Sequence, residues 1–274
     1  MEILFQDFLR QLPIGEKSII EQGTANIVYR YGASFLVREK KLDEVDSPFQ
    51  NAGTEKEAYT LIGACPIVPE LLFLDSRGNK VERFVEGRTF DPSNVEDLSK
   101  VAKTLQRLHA LPLGRGATKF LPMARYLHYK RICKEELDKE KEDEIILAAF
   151  PYLDSGKMCL CHNDLWAGNI IVNDERAYLL DLEFASASPY YFDLASLIEE
   201  NSLSKEQTES FLAAYDPEYV EHKLPQKIHA LVLFHHVLWF YWAKARYEET
   251  KNPVFLEIAD AKRSAFLSFP KEEA

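Results

Sequence analysis

The segment 162–169, which reads HNDLWAGN, constrains the fold more than any other part of the chain. It lies between two short β-patterned runs, and Asp181 stands at the end of a third run, twelve residues beyond Asn169. Strands that follow one another through short connections usually lie side by side. We therefore expect Asp164, Asn169 and Asp181 to meet in one small volume.

These side chains have the chemistry of a metal and base site. Mg²⁺ prefers hard oxygen ligands, and a carboxylate with an amide oxygen can hold it against the phosphates of a nucleotide. Asp181 and Asn169 form such a pair, and Glu183 adds an acid two residues beyond Asp181. Asp164 is then left to accept or orient the proton of a substrate hydroxyl during phosphoryl transfer. The alternative interpretation is a polar hairpin turn that caps its own backbone.

Length and charge limit the kinds of partner. The chain has 274 residues and a formal charge of −11, from 33 Lys and Arg against 44 Asp and Glu. This length suits one large domain or two modest ones. The acidic balance argues against binding to nucleic acid or to an anionic membrane, because clustered Lys and Arg drive such binding. Insertion into a membrane is not expected either. A small cationic or metal-chelated molecule fits better, and the sequence does not indicate an oligomeric state.

Four cysteines are too few for a disulfide scaffold in a chain of this length and indicate a reducing compartment. Cys159 and Cys161 stand beside His162, so a metal cluster is one interpretation. The favoured one is two small apolar residues on one face of a strand. The first residues show no secretory signal, and the longest apolar stretch, 231–243, is shorter than the ~20 residues of a membrane span, which predicts a cytoplasmic protein.

The hydrophobic pattern predicts a β-rich first part and a helical last part. The first 85 or so residues form a small α+β unit, and a second hairpin is expected from the runs 158–161, 170–173 and 177–182, with a loop after the first run and a turn at 174–176 after the second. The predicted strands are two runs within 18–40 and the runs 70–75, 80–85, 158–161, 170–173 and 177–182. The predicted helices are 54–62, 95–110, a solvated helix at 130–146, and several after residue 192 separated by prolines.

The loop 162–169 matches H-x-D-x(4)-N and, with the later Asp181, resembles the kinase-like small-molecule phosphotransferases. The resemblance implies an α+β, two-lobed protein-kinase-like fold, with a small antiparallel sheet in an N-lobe (1–87) and a mainly helical C-lobe (88–274). ATP and Mg²⁺ would bind in the cleft between them. His162 and Asp193 are expected to support the loop. The implied nucleotide contacts in the N-lobe are Gly23 and Asn26 at the first turn, Arg38 held by Glu57, and the backbone of Arg83, Phe84 and Val85.

Within that group the chain is similar to the choline/ethanolamine kinases. The residues that carry the resemblance are DLEF at 181–184, Asp193, Glu200 seven residues later, and W-x-x-W at 239–242. A quaternary ammonium has no hydrogen-bond donor and is bound by aromatic faces and carboxylates. The implied substrate cage contains Phe184, Glu200, Trp239 and Trp242, and Trp166 adds an aromatic wall where eukaryotic members have Gln. A simple buried helix is the alternative for the W-x-x-W segment.

The resemblance implies transfer of the γ-phosphate of ATP to the hydroxyl of choline, which gives phosphocholine. Ethanolamine, thiamine and an aminoglycoside antibiotic are alternative substrates. A third interpretation is a nucleotide-binding protein without turnover. Two departures from the family pattern, Gln22 and Ala25, put a hydroxyl contact to phosphate from the first turn in doubt.

Overall fold

The computed structural model describes residues 4–22, 26–41, 52–114, 116–154 and 158–268. The predicted turn at Gly23 lies outside these residues. The described α-helices are α1 Phe5–Gln11, α2 Ala52–Ile62, α3 Val95–His109, α4 Pro122–Ile132, α5 Lys139–Asp154, α6 Tyr190–Glu200, α7 Lys205–Tyr215, α8 Leu224–Thr250 and α9 Val254–Ser268. The described strands are β1 Lys17–Gln22, β2 Asn26–Tyr31, β3 Phe35–Lys40, β4 Leu71–Leu74, β5 Lys80–Arg83, β6 Arg88–Thr89, β7 Met158–Cys161, β8 Ile170–Val172, β9 Ala177–Leu179 and β10 Ser186–Pro189.

The first part of the chain is an antiparallel sheet with the strand order β1-β2-β3-β5-β4. In strand β3, Phe35 and Val37 are buried, as period-two alternation requires, and they pack with Phe5 of α1. Arg38 of β3 lies opposite Lys80 of β5. This register places two cations side by side.

The later part of the chain is mainly helical, which confirms the predicted α+β fold class. Helix α8 is its centre and packs against α4, α5, α6 and α9. Pro225 stands in the first turn of α8, where the missing N–H of a proline costs nothing. Among the described helices, not one combines the length and the apolar character that a membrane crossing requires.

The predicted second hairpin is confirmed for the runs 170–173 and 177–182, which pair as β8 and β9, but the run 158–161 does not join it. Strand β7 pairs with β10, whereas β8 pairs with β9 and also with β6. Strand β10 reads SASP and carries none of the β-branched or aromatic residues typical of strands. It is extended because β7 offers it a partner in the folded protein.

The predicted solvated helix at 130–146 is also wrong. The chain leaves α4 at Ile132 and begins α5 at Lys139, and Glu142 of α5 is buried. Its carboxylate accepts hydrogen bonds from the hydroxyls of Tyr126 (2.7 Å) and Tyr241 (3.1 Å) and from Lys130 (2.9 Å). These three donors compensate the loss of water around the charge.

Candidate active site

The buried carboxylate of Asp193, on α6, holds the start of the loop 162–169. Its two oxygens accept the backbone N–H groups of His162 (2.8 Å) and Asn163 (2.7 Å). The ring of His109 makes a third bond, from Nε2, at 3.0 Å. Burial alone would raise the pKa of Asp193, but the hydrogen bond and charge of His109, with those of His162, lower it below its ordinary value. An ionised Asp193 therefore fixes the loop.

The side chain of His162 supports the loop from the other side. Its Nε2 lies 2.7 Å from the carbonyl oxygen of Leu180, so Nε2 carries the proton and donates it. The next residue, Asn163, has a positive φ of 66°, a conformation that asparagine tolerates better than most residues. This turn directs Asp164 away from the core that receives Asn163.

Asp164 and Asn169 are brought together, as the spacing predicts. The amide nitrogen of Asn169 donates to Oδ2 of Asp164 at 2.9 Å and to its carbonyl oxygen at 3.0 Å. Burial and the nearby charge of Asp181 raise the pKa of Asp164, while His162 and the bond from Asn169 oppose that rise. Because its nitrogen faces Asp164, Asn169 offers its side-chain oxygen as a ligand.

Asp181 stands just beyond β9 in the left-handed conformation (φ 54°) and begins the short 3₁₀ turn Leu182–Phe184. The N–H of Leu180 donates to the carbonyl oxygen of Asn169 at 2.8 Å, which ties this segment to the loop. Burial and the charge of Asp181 raise the pKa of Glu183 to about 8. Arg38 opposes that rise without cancelling it, so two carboxylates remain crowded here, and Asn169, Asp181 and Glu183 fit a hard divalent cation such as Mg²⁺.

Arg38 reaches this acidic group from the sheet. Its Nη1 donates to Oδ1 of Asp181 at 2.8 Å, and its Nε donates to the carbonyl oxygen of Gly78 at 3.1 Å. Its Nη2 is paired with Glu55, whose other oxygen binds Lys80 at 2.8 Å. The buried guanidinium is therefore fixed on three sides.

The prediction that Glu57 holds Arg38 is wrong, because Glu55 does so. Residues two apart on a helix differ by about 200° around its axis, so only one of these acids can face the sheet. Glu55 is 1% exposed, whereas Glu57 is exposed and accepts the N–H (3.2 Å) and hydroxyl (2.6 Å) of Thr118. Burial opposes ionisation of Glu55, but Lys80 and Arg38 together lower its pKa to about 2.

The segment expected to contact adenine is partly engaged in the fold. The N–H of Arg83 donates to the carbonyl oxygen of Glu70 at 2.9 Å, and that of Phe84 donates to Ser34 at 2.8 Å. These two N–H groups are therefore already bonded within the fold. Of the three residues predicted to contact adenine, Val85 is left to offer its N–H group. Asn26, the remaining N-lobe residue of the prediction, begins β2 opposite Lys40.

Comparison with known proteins agrees with this geometry. A family model described as the phosphotransferase enzyme family matches residues 18–229, which contain the loop and its supports. The chain belongs to the phosphotransferase enzyme family. That match ends within α8, before the W-x-x-W segment and before α9. Most of α8 and the whole of α9 therefore lie beyond the part that the family model describes.

Individual relatives include LicA proteins. The chain is 36% identical to Protein LicA of Haemophilus influenzae over 98 residues, which are 34% of this chain and 37% of that protein. The chain thus matches little more than a third of that relative's length. A LicA homolog of Mycoplasma capricolum is 24% identical over 247 residues, 88% of this chain and 94% of that protein. The crystal structure of choline kinase LicA from Streptococcus pneumoniae has a TM-score of 0.74 at 21% identity, with 96% of this chain and 97% of that chain covered.

Three aromatic residues of the predicted substrate cage, Phe184, Trp239 and Trp242, form one row of ring contacts. Phe184 meets Trp239 edge to face at 5.8 Å, Trp239 meets Trp242 at 5.6 Å, and Trp242 meets Phe255 at 5.6 Å. Trp239 is only 6% exposed, and its indole N–H donates to Nδ1 of His235 at 3.1 Å. Of this row, Trp242 is the ring that is only half-buried.

Trp166 stands apart from that row. It is 51% exposed and lies over Gly168, where an added Cβ would come within 2.1 Å of the ring. The loop therefore requires glycine at 168 as long as the Trp166 ring keeps this position. Glu200, the predicted acidic wall, is paired with Lys262 of α9.

Sequence reasoning missed three charged residues of this region: Glu55, Lys80 and Lys262. The register of β3 with β5 would have revealed Lys80, because it places Lys80 beside Arg38. Glu55 has no such signal, because the sequence of α2 does not say which of its acids faces those two cations. Lys262 has no local signal, since its partners lie more than sixty residues away.

Proposed function

We propose that the protein is an ATP- and Mg²⁺-dependent phosphotransferase that phosphorylates choline to phosphocholine. The observation that carries this proposal is the meeting of Asp164, Asn169, Asp181 and Arg38 at one loop that Asp193 anchors. A carboxylate base, oxygen ligands and a fixed guanidinium are the parts that phosphoryl transfer needs. We place this activity in the cytoplasm, where its four free cysteines would stay reduced.

Each group has a separate task in this mechanism. Asp164 accepts or orients the proton of the substrate hydroxyl as the hydroxyl oxygen attacks the γ-phosphorus. The bond from the γ-phosphorus to the β,γ-bridging oxygen breaks, and ADP carries that oxygen away. Arg38 holds the phosphates of ATP, and its pair with Glu55 keeps it in place. Asn169, Asp181 and Glu183 would hold Mg²⁺, which supplies positive charge to the phosphate oxygens.

Choline is favoured by the chemistry of the substrate side. The Trp242 and Trp166 rings have exposed surface, and aromatic faces are the groups that bind a quaternary ammonium. The carboxylate of Glu200 lies near the same loop and supplies negative charge. The similarity to LicA proteins, among which LicA of Streptococcus pneumoniae is a choline kinase, supports the same substrate.

The first experiment is an assay of ADP release with Mg²⁺ and choline, ethanolamine, thiamine or kanamycin. We expect choline to give the highest kcat/KM, and ADP release should depend on the alcohol. Asp164→Asn is the matched inactive control. Release of ADP with none of the four alcohols would refute the proposal and favour a binding protein without turnover.

A second experiment tests the aromatic contacts. Trp242→Ala should raise the KM for choline by roughly 3- to 30-fold, because a cation–π contact contributes about 0.5–2 kcal/mol. The KM for ATP should stay unchanged. Phe150→Ala removes an aromatic ring that is 50% exposed on α5 and serves as the control. An unchanged choline KM in Trp242→Ala would contradict a role for this ring in binding.

A further inference from the structure

A lysine from the last described helix, α9, binds the acidic pair at the end of α6. Nζ of Lys262 lies 2.8 and 3.0 Å from the two carboxylate oxygens of Glu199, and 2.9 Å from both oxygens of Glu200. Glu199 is buried, whereas the side chains of Lys262 and Glu200 are 13% and 19% exposed. The exposed edge of this cluster is therefore formed by Lys262 and Glu200.

The cluster borders the catalytic loop. Asn201, next to Glu200, donates from Nδ2 to the carbonyl oxygen of Leu165 at 2.8 Å, and Leu165 follows Asp164 directly. The charge of Lys262 is close enough to help lower the pKa of Asp164 against the effect of burial. Asp164 and Glu200 therefore lie next to the two residues that this bond joins, as a substrate with a hydroxyl at one end and a cationic head at the other would require.

We propose that Lys262 makes this site selective for a quaternary over a primary ammonium by occupying the acceptor oxygens of Glu200. The inference rests on the proposed function and concerns the head group that the alcohol carries. A primary ammonium has three N–H donors that need acceptors when they leave water, whereas a quaternary ammonium has none. Lys262 already donates to both oxygens of Glu200, so a primary head finds fewer acceptor positions there for its N–H groups, whereas a quaternary head needs none.

The charge balance of the cluster keeps the attraction to a cationic head. With both acids ionised, two carboxylates and one ammonium leave one negative charge, which one monocationic head neutralises. Burial and the neighbouring Glu199 raise the pKa of Glu200 well above its ordinary value although Lys262 opposes that rise, and a bound cationic head favours the ionised carboxylate. His236 lies 2.9 Å from Glu199, the buried member of the pair, and does not change which carboxylate faces the surface.

The test compares choline with ethanolamine in Lys262→Met. Without the lysine, the ammonium of ethanolamine can take over the hydrogen bonds to Glu200, and choline cannot. We expect the ratio of kcat/KM for choline to that for ethanolamine to fall about tenfold, as a charged hydrogen bond implies. Lys262→Arg keeps donors and charge and should keep the ratio near the wild-type value.

Lys244→Met is a matched control for the loss of a lysine ion pair. The Lys244 side chain is 17% exposed and lies 2.7 Å from Glu135. This variant loses a comparable bond away from the loop, so its choline to ethanolamine ratio should equal that of the wild type. A fall in this control equal to that in Lys262→Met would overturn the proposal.

A series of alcohols tests the same idea without a variant. In the wild type, kcat/KM should rise from ethanolamine through its N-methyl and N,N-dimethyl derivatives to choline. A wild type that prefers ethanolamine, or a Lys262→Met ratio within about twofold of wild type, would overturn the role of Lys262 and leave the kinase function standing. Wild-type protein that phosphorylates none of these alcohols would refute the proposed function itself.

Discussion

Replacing Glu55 by Gln should destabilise the protein and loosen Arg38, and replacing Glu57 by Gln should do neither. The two acids lie on the same helix, two residues apart, and Gln preserves the shape of each side chain. Glu55 is buried between Arg38 and Lys80, whereas Glu57 is exposed and contacts Thr118. The pair of variants therefore isolates the buried charge from a general effect on α2.

The size of the effect follows from the charges around Glu55. Its pKa lies at about 2 against an ordinary 4.5, a difference that corresponds to about 3 kcal/mol of stability near neutral pH. Removing one member of a buried ion pair costs about 3–5 kcal/mol, which agrees. For a chain of this size, 3 kcal/mol lowers Tm by about 6–12 °C. Glu57→Gln should change stability by less than about 1 kcal/mol.

The contribution of Glu55 to stability depends on pH, and its lowered pKa sets the direction of that dependence. A carboxylate with a lowered pKa stabilises the fold above its unfolded pKa, near 4.5, and this contribution disappears as the pH falls toward 2. The difference in stability between wild type and Glu55→Gln should therefore be constant from pH 6 to 8 and shrink below pH 4.5.

Thermal unfolding followed by circular dichroism measures the stability of both variants. A titration with ATP measures the dissociation constant of ATP, which reports whether Arg38 is still held in place. We expect Glu55→Gln to weaken ATP binding about tenfold, because a charge-assisted contact to phosphate is worth about 1.5–3 kcal/mol. Equal losses in the two variants, or a larger loss in Glu57→Gln, would refute the assignment of Glu55 as the partner of Arg38.

Three further predictions concern Asp164 in the loop, its anchor Asp193, and Gly87, which precedes strand β6. Asp164→Asn should lower turnover by at least about 100-fold with Tm nearly unchanged, as steady-state kinetics and calorimetry can show. Asp193→Asn leaves the N–H of His162 with a weaker acceptor and should cost about 3 kcal/mol in urea unfolding, with a fall in turnover; a stability equal to wild type would contradict the anchoring role. Gly87→Ala places a Cβ 2.8 Å from the carbonyl oxygen of Val172 and should cost about 1–3 kcal/mol in the same assay.

The loop was readable from the sequence because its main contacts are local. Asn169 reaches Asp164 across five residues, and both belong to one turn whose spacing fixes the contact. Asp181 enters through the adjacent hairpin β8–β9, which alternating apolar residues and a turn predict. The same local rules predicted α3, which begins after the cap Asn94 and ends at His109.

The partners of this loop were harder to predict because they depend on packing between distant elements. The helix α2 carries acids at 55 and 57, and the pattern of its sequence does not say which faces Arg38. Strand β10 has no strand signal and exists through its pairing with β7. Glu142 lies in a Lys- and Glu-rich run that is typical of a solvated surface, yet two tyrosines and Lys130 surround it. In each case the deciding contact joins segments far apart in the chain.

The residues of the reaction lie in one short motif, whereas the proposed contacts to the head group of the substrate join separate helices. Phosphoryl transfer needs a base and metal ligands within a few ångströms, and a single loop with the next strand can supply them, so the reaction leaves a short motif. In our proposal, recognition of the head group uses Trp242 of α8 and the pair of Glu200 with Lys262, which joins α6 to α9. Such contacts depend on how three helices pack, and a substitution in any of them can alter the preferred substrate without touching the motif. Differences in substrate between family members that share the loop should therefore be sought first in α8 and α9.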